Sequence, residues 1–400
     1  MSHEGSAPPT SWIDALLTSE GQALLQELAD DPPTRDTEIT RVTKLRERYA
    51  PALVTAAVEQ TALRRKAESK FSNAQRMYFT RAGLEQASSE RMARHHARRY
   101  VAFDRIADLC TGIGGDLIGL AAERAVLAVD SDLVHARLSQ LNAAANGVAA
   151  SVTTLCADVR DVAFDDIPAV FIDPARRSSE RRFTAGASEP SLAWCFSLAE
   201  RGIGVGVKAA PGLPTDVVPA GWELEFVSEH RELKESALWS PSLASTARRA
   251  TLLPRGETLV DRAGARLGVD VPGRYLVDPD PAVTRAGLVK ELGESLGACW
   301  QIDETIAFLS ANEDLRSPFG RTLAVESSEP WSLARLKEVL RALDVGVADI
   351  RKRGSAVDVD ELQRRLKLSG SRTATVVLTR ASGKPWMLVC FEPTESGHPK

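Results

Sequence analysis

From residue 105 onward, apolar runs of strand length alternate with stretches of helical periodicity, and this alternation constrains the fold more than any other feature of the chain. Strands are expected at 105–110, 125–130, 151–155, 169–173, 203–207, 223–227 and 250–253, with helices at 116–124, 133–146 and 191–200. Such alternation implies a mostly parallel sheet covered on both faces. The expectation is therefore an α/β domain over 101–254 with a Rossmann-like sheet of seven strands. Sheets of this kind bind ligands beyond the carboxyl ends of their strands.

The flanks differ in texture. Residues 1–100 read as a helical N-terminal region, with helical stretches near 12–28, at 38–68 and from Ser88–Ser89 to Arg99. Between the last two, Lys70-Phe71 and Met77-Tyr78-Phe79-Thr80-Arg81 interleave basic and aromatic residues, which suits stacking on a base with a phosphate contact or, equally, a cover on a core. Residues 255–330 read as a connector, with helical stretches ending near Leu296 and over 302–309. Residues 331–395 read as a small α/β unit: a helix capped by Ser332, a strand at 347–350, a helix opened by Asp358 and Glu361, and a hairpin of 374–379 and 386–391.

Charge is distributed unevenly. The net charge of −4 at pH 7 divides into −7 over residues 1–40, +9 over 41–100, −11 over 101–330 and +5 over 331–400. Basic segments flanking an acidic centre can mark a polyanion footprint, or simply solvated helix faces. No apolar run reaches the roughly 18 residues of a membrane span, and residues 1–10 do not read as a secretory leader. Five cysteines stand far apart without a CxxC pair, so reduced thiols in the cytoplasm are expected and a structural zinc site is not. His95 and His96 are adjacent and point about 100° apart on a helix, so they do not form a metal site together.

The chemistry concentrates where the first strand ends, at Asp108-Leu-Cys-Thr-Gly112-Ile-Gly114-Gly115. Gly112 and Gly114 permit a tight turn and a close backbone approach to a ligand. An acid four residues before the first glycine would oppose a dinucleotide's diphosphate but suit an ammonium group. Asp130 ends the second strand, where an acid can hold a ribose diol. Asp158 follows the third, placed to accept from an adenine amine, although a loop cap is the alternative for each acid. A ligand with an ammonium, a ribose and an adenine but no phosphate is S-adenosylmethionine. At the end of the fourth strand, Asp173 and the Pro174 carbonyl can both accept from an exocyclic amine and aim its lone pair at a methyl donor. Lys208, near the fifth strand's end, could reach a phosphate or simply snorkel to solvent.

Asp108-Leu-Cys-Thr-Gly-Ile-Gly-Gly, Ala128-Val-Asp130 and Ile172-Asp173-Pro174-Ala-Arg resemble the motifs of class I S-adenosylmethionine-dependent methyltransferases, and specifically RNA methyltransferases of the trimethylguanosine synthase type. The lead-in Phe79-Thr80-Arg81-Ala82-Gly83-Leu84 and Ala93-Arg94-His95-His96-Ala97 is similar to the segment before their catalytic core. Ile350-Arg-Lys-Arg-Gly354 and the helix after it resemble a THUMP-like domain. The resemblance implies that Cys110 and Val159 join Asp108, Gly112, Gly114, Asp130 and Asp158 around the cofactor. It implies that Asp173, Pro174 and Arg176 work on the substrate, that RNA is the partner, and that neither metal nor membrane is involved. Here Ala175 and Arg176 replace the family's Pro and aromatic residue; a guanidinium plane can stack on a base or hold a phosphate. Asp-Pro-x-Arg also resembles uridine C5-methyltransferases, but those need a cysteine near the end of strand five, and Val205-Gly-Val-Lys208-Ala-Ala-Pro211 has none. Cys195 falls in a helical stretch and is expected to pack. Two other readings stay open: a methyltransferase acting on a protein or small molecule, and a non-catalytic RNA-binding protein keeping the fold.

Overall fold

The structure is a computed structural model that describes residues 8–32, 37–176 and 188–393. It divides into two compact units, Met1–Trp222 with Leu238–Ala244, and Glu223–Ala237 with Ser245–Lys400.

The first unit opens with helices Ser11–Leu17 and Ser19–Asp30, followed by Glu38–Arg46 and Pro51–Ala67. The stretch 38–68, expected as one helix, is thus two. Pro51 takes the first position of the second helix, where its missing N–H has no partner to lose. Of the two readings of the segment from Lys70 to Arg81, the cover on a core is the one observed. Phe71, Met77, Tyr78 and Phe79 are buried beside Leu24, Leu28 and Leu63. The basic residues around it tie the chain down: Arg64 Nε donates to the Met77 carbonyl at 2.8 Å, and Lys70 Nζ to those of Leu84 and Ala87, each at 2.8 Å. Ser89 caps Glu90–Ala97 by accepting from Met92 N, and a short 3₁₀ turn at Arg98–Tyr100 leads to the sheet. This helix crosses Gly115–Leu120 closely, because a Cβ on Gly119 would come 2.6 Å from the Ala93 carbonyl carbon.

Five parallel strands follow in the order Gly204–Ala209, Ala169–Ile172, Arg105–Leu109, Ala125–Asp130 and Val152–Cys156. Chain direction across the sheet reverses between Arg105–Leu109 and Ala169–Ile172, and a crevice opens beyond the carboxyl ends of strands at such a switch. His96, Tyr100, Phe171 and Trp239 pack as one aromatic cluster against this sheet. Gly206 is what admits them, since a Cβ there would meet Tyr100 Oη at 2.3 Å.

In the second unit, Glu223–Glu229 pairs parallel with Arg248–Leu253, which pairs antiparallel with Glu257–Val260. The seven strands expected are all formed, and Glu232–Trp239 and Glu257–Val260 are strands besides. Neither shows a clean alternation: the first half of Glu232–Trp239 is mostly charged and largely exposed, and Glu257–Val260 is half-exposed but for the exposed Thr258. A second sheet has the order Cys299–Gln301, Leu309–Ala311, Tyr275–Pro279, Gly320–Pro330, Lys384–Phe391, Arg372–Ala381 and Val345–Lys352. Residues 255–330, expected as a connector, therefore supply four of its strands. The helix expected over 302–309 is absent. Asp303 instead closes a turn by accepting from Thr305 N at 3.0 Å and Oγ1 at 2.7 Å, and from Gly383 N at 3.0 Å. Helices Leu333–Ala342 and Val359–Leu366 bury Leu336, Leu340, Leu362 and Leu366 against Val376 and Val389. Among the described residues, no helix is long and apolar enough to cross a membrane.

Candidate active site

Asp108 lies at the end of the first parallel strand with 1 % of its surface exposed, and its Oδ2 accepts from Thr111 Oγ1 at 2.6 Å. Burial pushes its carboxyl well above the ordinary range, and the nearby carboxylates of Asp116, Asp173 and Asp130 push it further. The turn that follows uses its glycines as expected of a ligand loop. Gly112 and Gly114 have φ of 55° and 86°, and a Cβ on Gly112 would meet nothing within 4 Å, so the crevice is open beside it. Asp130 accepts from Gly112 N at 2.8 Å through Oδ2 and from Asp132 N at 2.9 Å through Oδ1, with His135 Nδ1 at 3.7 Å. Burial pulls the Asp130 carboxyl upward, but these donors outweigh it and hold the group below its ordinary value.

Around this turn, Cys110 adopts a left-handed φ of 60° and its thiol is pushed up by burial. Val159 is buried at the start of the turn Val159–Asp161. Asp158 caps that turn: it accepts from the Arg160 N–H and from Arg160 Nε, both at 2.9 Å, and this pairing lowers its carboxyl to about 2. Arg160 also reaches Glu189 Oε1 at 2.7 Å. The loop-cap alternative is thus visible at Asp158, whose carboxylate has Arg160 as its partner in this conformation.

Directly beyond the fourth strand, Asp173 N donates to the Leu109 carbonyl at 3.1 Å, setting its side chain beside the end of the first strand. Pro174 is buried and Ala175 begins a two-residue strand that pairs with Ser188–Glu189. The Arg176 side chain lies outside the described residues. Lys208 corrects the snorkelling expectation: its Nζ turns inward and donates to Asp173 Oδ2 at 2.7 Å, Ser88 Oγ at 3.0 Å and the Gln86 carbonyl at 3.4 Å. Asp116 Oδ2 stands 4.0 Å from the same ammonium. Asp116, which the sequence marked only as the start of a helix, is buried. It accepts from Ser88 Oγ at 2.8 Å and faces His96 Nδ1 at 2.7 Å. Burial alone would raise its carboxyl, yet His96, Lys208 and Ser88 together hold it below the ordinary value.

Asp108 and Asp130 therefore accept from the open glycine turn, with Asp173 beside it and Asp116 behind Lys208. That set of acceptors fits a ligand presenting an ammonium and a diol, and disfavours a diphosphate. Cys195 is fully buried and its thiol is pushed up to about 12, so it offers no thiolate to the crevice. Among the described residues, no group of three or more His, Cys, Asp or Glu side chains is arranged to hold a metal ion.

Comparison with known proteins adds three family matches. Residues 103–186 match RNA cap guanine-N2 methyltransferases, residues 320–392 a THUMP-like domain, and residues 11–67 a domain of unknown function. The THUMP-like match begins before residue 331, at the long strand Gly320–Pro330. An uncharacterised S-adenosylmethionine-dependent methyltransferase, found in two strains of Mycobacterium tuberculosis, is 41% identical over 338 residues, covering 81% of this chain and 92% of the relative. A crystal structure of a Porphyromonas gingivalis W83 protein assigned as a methyltransferase superposes with a TM-score of 0.73 at 21% identity, covering 87% of this chain and 92% of that one, which shows a shared fold.

Proposed function

This chain belongs to the S-adenosylmethionine-dependent methyltransferases, with a THUMP-like domain at its C-terminus, and from that premise we propose that it methylates a base amine of RNA, held by Asp173 and the Pro174 carbonyl. The observation that carries the reading is the RNA cap guanine-N2 methyltransferase match at residues 103–186, which spans both the glycine turn and Asp173-Pro174. The THUMP-like domain supports a tRNA or rRNA substrate.

When bound, S-adenosylmethionine supplies a methyl group already activated on a sulfonium. The protein's part is to hold and orient. Asp108 would hold the ammonium of the cofactor's amino-acid end and Asp130 the ribose hydroxyls, with Gly112 and Gly114 leaving the space; Cys110 and Val159 would line the remainder, and Asp158 would meet the adenine amine by sharing its carboxylate with Arg160. Asp173 has a third of its side-chain surface exposed and would accept from the acceptor amine while its Oδ2 stays with Lys208. Orientation of this kind suffices where the donor is already activated. Arg176 orients the base or its phosphate. The buried, protonated Cys195 argues against covalent uridine chemistry.

A basic surface suited to the RNA backbone lies in the helical region. A cavity of about 660 Å³ is lined by Arg64, Arg65 and Arg76 together with Gln22, Gln75 and Tyr78, and no carboxylate lines it among the described residues. Arg64 stacks over the Tyr78 ring at 4.8 Å.

The deciding experiment is transfer of labelled methyl from S-adenosylmethionine to total RNA, followed by nucleoside analysis. An N-methylated nucleoside is the expected product. Label found only in protein or small molecules, or only in 5-methyluridine, removes the reading.

A further inference from the structure

We infer that Lys208, anchored by Asp116 and Ser88, is the positioning residue for Asp173, tying the lead-in segment to the carboxylate that receives the acceptor. The inference rests on the reading of Asp173 given above and extends it to residues with no assigned role.

An ammonium has three N–H donors, and all three of Lys208's are accounted for: Asp173 Oδ2, Ser88 Oγ and the Gln86 carbonyl. No donor remains for a substrate, so Lys208 acts through Asp173. Its side chain is 14% exposed, and removing an ammonium from water is costly unless it is fully partnered. Asp116 supplies the second negative charge, at 4.0 Å, and is itself fixed by Ser88 and His96. His96 is wholly buried, with Phe171 at 4.7 Å and Trp239 at 6.1 Å between ring centres, so this end of the chain of contacts is packed against aromatic rings.

The backbone is shaped for the same arrangement. Gly206 and Lys208 share one face of their strand. The missing side chain of Gly206 admits Tyr100 and Trp239. Gly115 lets Ser88 close on the turn, since a Cβ there would stand 3.1 Å from both Ser88 N and Ser88 O. Ser88 and Gln86 belong to the lead-in, Asp116 to the first helix after the cofactor turn, and Asp173 to the acceptor side. One ammonium therefore joins three segments and holds Oδ2 of the Asp173 carboxylate in place.

Two measurements on the full-length protein test this. The first follows the titration of the Asp173 carboxyl by ¹³C NMR of protein labelled at aspartate, with Asp173→Asn for assignment. Among the described residues, the charged and titratable groups facing Asp173 include Lys208, Asp108 and Cys110, with Asp116 across the ammonium. Lys208→Met should move the titration to higher pH, Ser88→Ala should move it the same way by less, and Lys208→Arg should return it toward wild type. The second measures methyl transfer to total RNA. Lys208→Met should lower turnover at saturating RNA by about 100-fold, the scale of lost orientation, with little change in KM or in cofactor affinity. An unmoved Asp173 titration in folded Lys208→Met overturns the inference, as does cofactor affinity falling in step with turnover. If Lys208→Met does not fold, an unmoved titration in Ser88→Ala overturns it. Wild-type protein that methylates no RNA overturns the RNA reading, while the titration still decides the role of Lys208.

Discussion

Two concavities of the first unit differ in the sign and burial of what lines them. The crevice beyond the strands gathers Asp108, Asp116, Asp130 and Asp173, all but Asp173 buried, each with a named partner. The cavity among the N-terminal helices gathers Arg64, Arg65 and Arg76, of which Arg65 and Arg76 are exposed and make no side-chain hydrogen bond or ion pair among the described residues. Buried, paired charges are held in one geometry by the low dielectric around them, so their chemistry can be argued atom by atom. Exposed arginines are mobile and screened by salt, and their effect is a summed field. On the function proposed above, the crevice would take the small cationic cofactor and the cavity's rim a polyanion.

The strongest test of that contrast is Asp173→Ala, which should reduce methyl transfer by about 100-fold while leaving cofactor affinity intact, because the residue works on the acceptor. Turnover and calorimetry together check it; an unchanged rate moves the acceptor site elsewhere in the crevice. Next in size, Asp130→Ala should weaken S-adenosylmethionine binding by about 1–3 kcal/mol, the scale of a charge-assisted hydrogen bond. Calorimetry showing equal affinity would separate Asp130 from the ribose.

A smaller effect is expected from pH. Asp108 sits well above the ordinary carboxyl range, so the free protein keeps its proton at pH values where an unfolded aspartate has lost it. That group stabilises the fold fully below its unfolded value, and the contribution is lost as pH rises through the folded value. An ammonium ligand reverses the preference. Cofactor binding should therefore release a proton, measurable as a dependence of the calorimetric heat on the buffer's ionisation enthalpy, and affinity should fall on acidification. A binding heat independent of buffer would show that Asp108 does not change its charge.

The smallest effect belongs to the cavity. Arg65→Glu combined with Arg76→Glu should lower the slope of RNA affinity against salt concentration by roughly one to two, since each phosphate contact contributes about 0.7–0.9. Filter binding across a salt series checks this. An unchanged slope would return both residues to solvated surface.

The fold was largely legible, and the reasons are local. Strand 105–110 and the turn after it could be located because the apolar run and the glycines are contiguous in sequence. Asp130 and Asp173 were legible as strand-end acids for the same reason. Asp116 was not, because an acid in the first turn of a helix ordinarily faces solvent. Here its burial depends on His96 and Ser88, 20 and 28 residues away. The helix mistaken at 302–309 failed similarly: Asp303 is held in its turn partly by Gly383, 80 residues further on.

By itself, then, the sequence determined the seven expected strands and the helices at 116–124, 133–146 and 191–200, the glycine turn, and which acids stand where strands end, because these follow from periodicity and backbone freedom within a few residues. Tertiary structure alone decided the direction of Lys208, whose partners lie 35 and 120 residues away, and the joining of residues 275–330 to the strands of 345–391 in one sheet. Side chains with several torsions and strands with several possible neighbours take their final partners only when distant segments close over them. The desolvation of a charge, which fixes its role in the crevice, does not exist until that closure is complete.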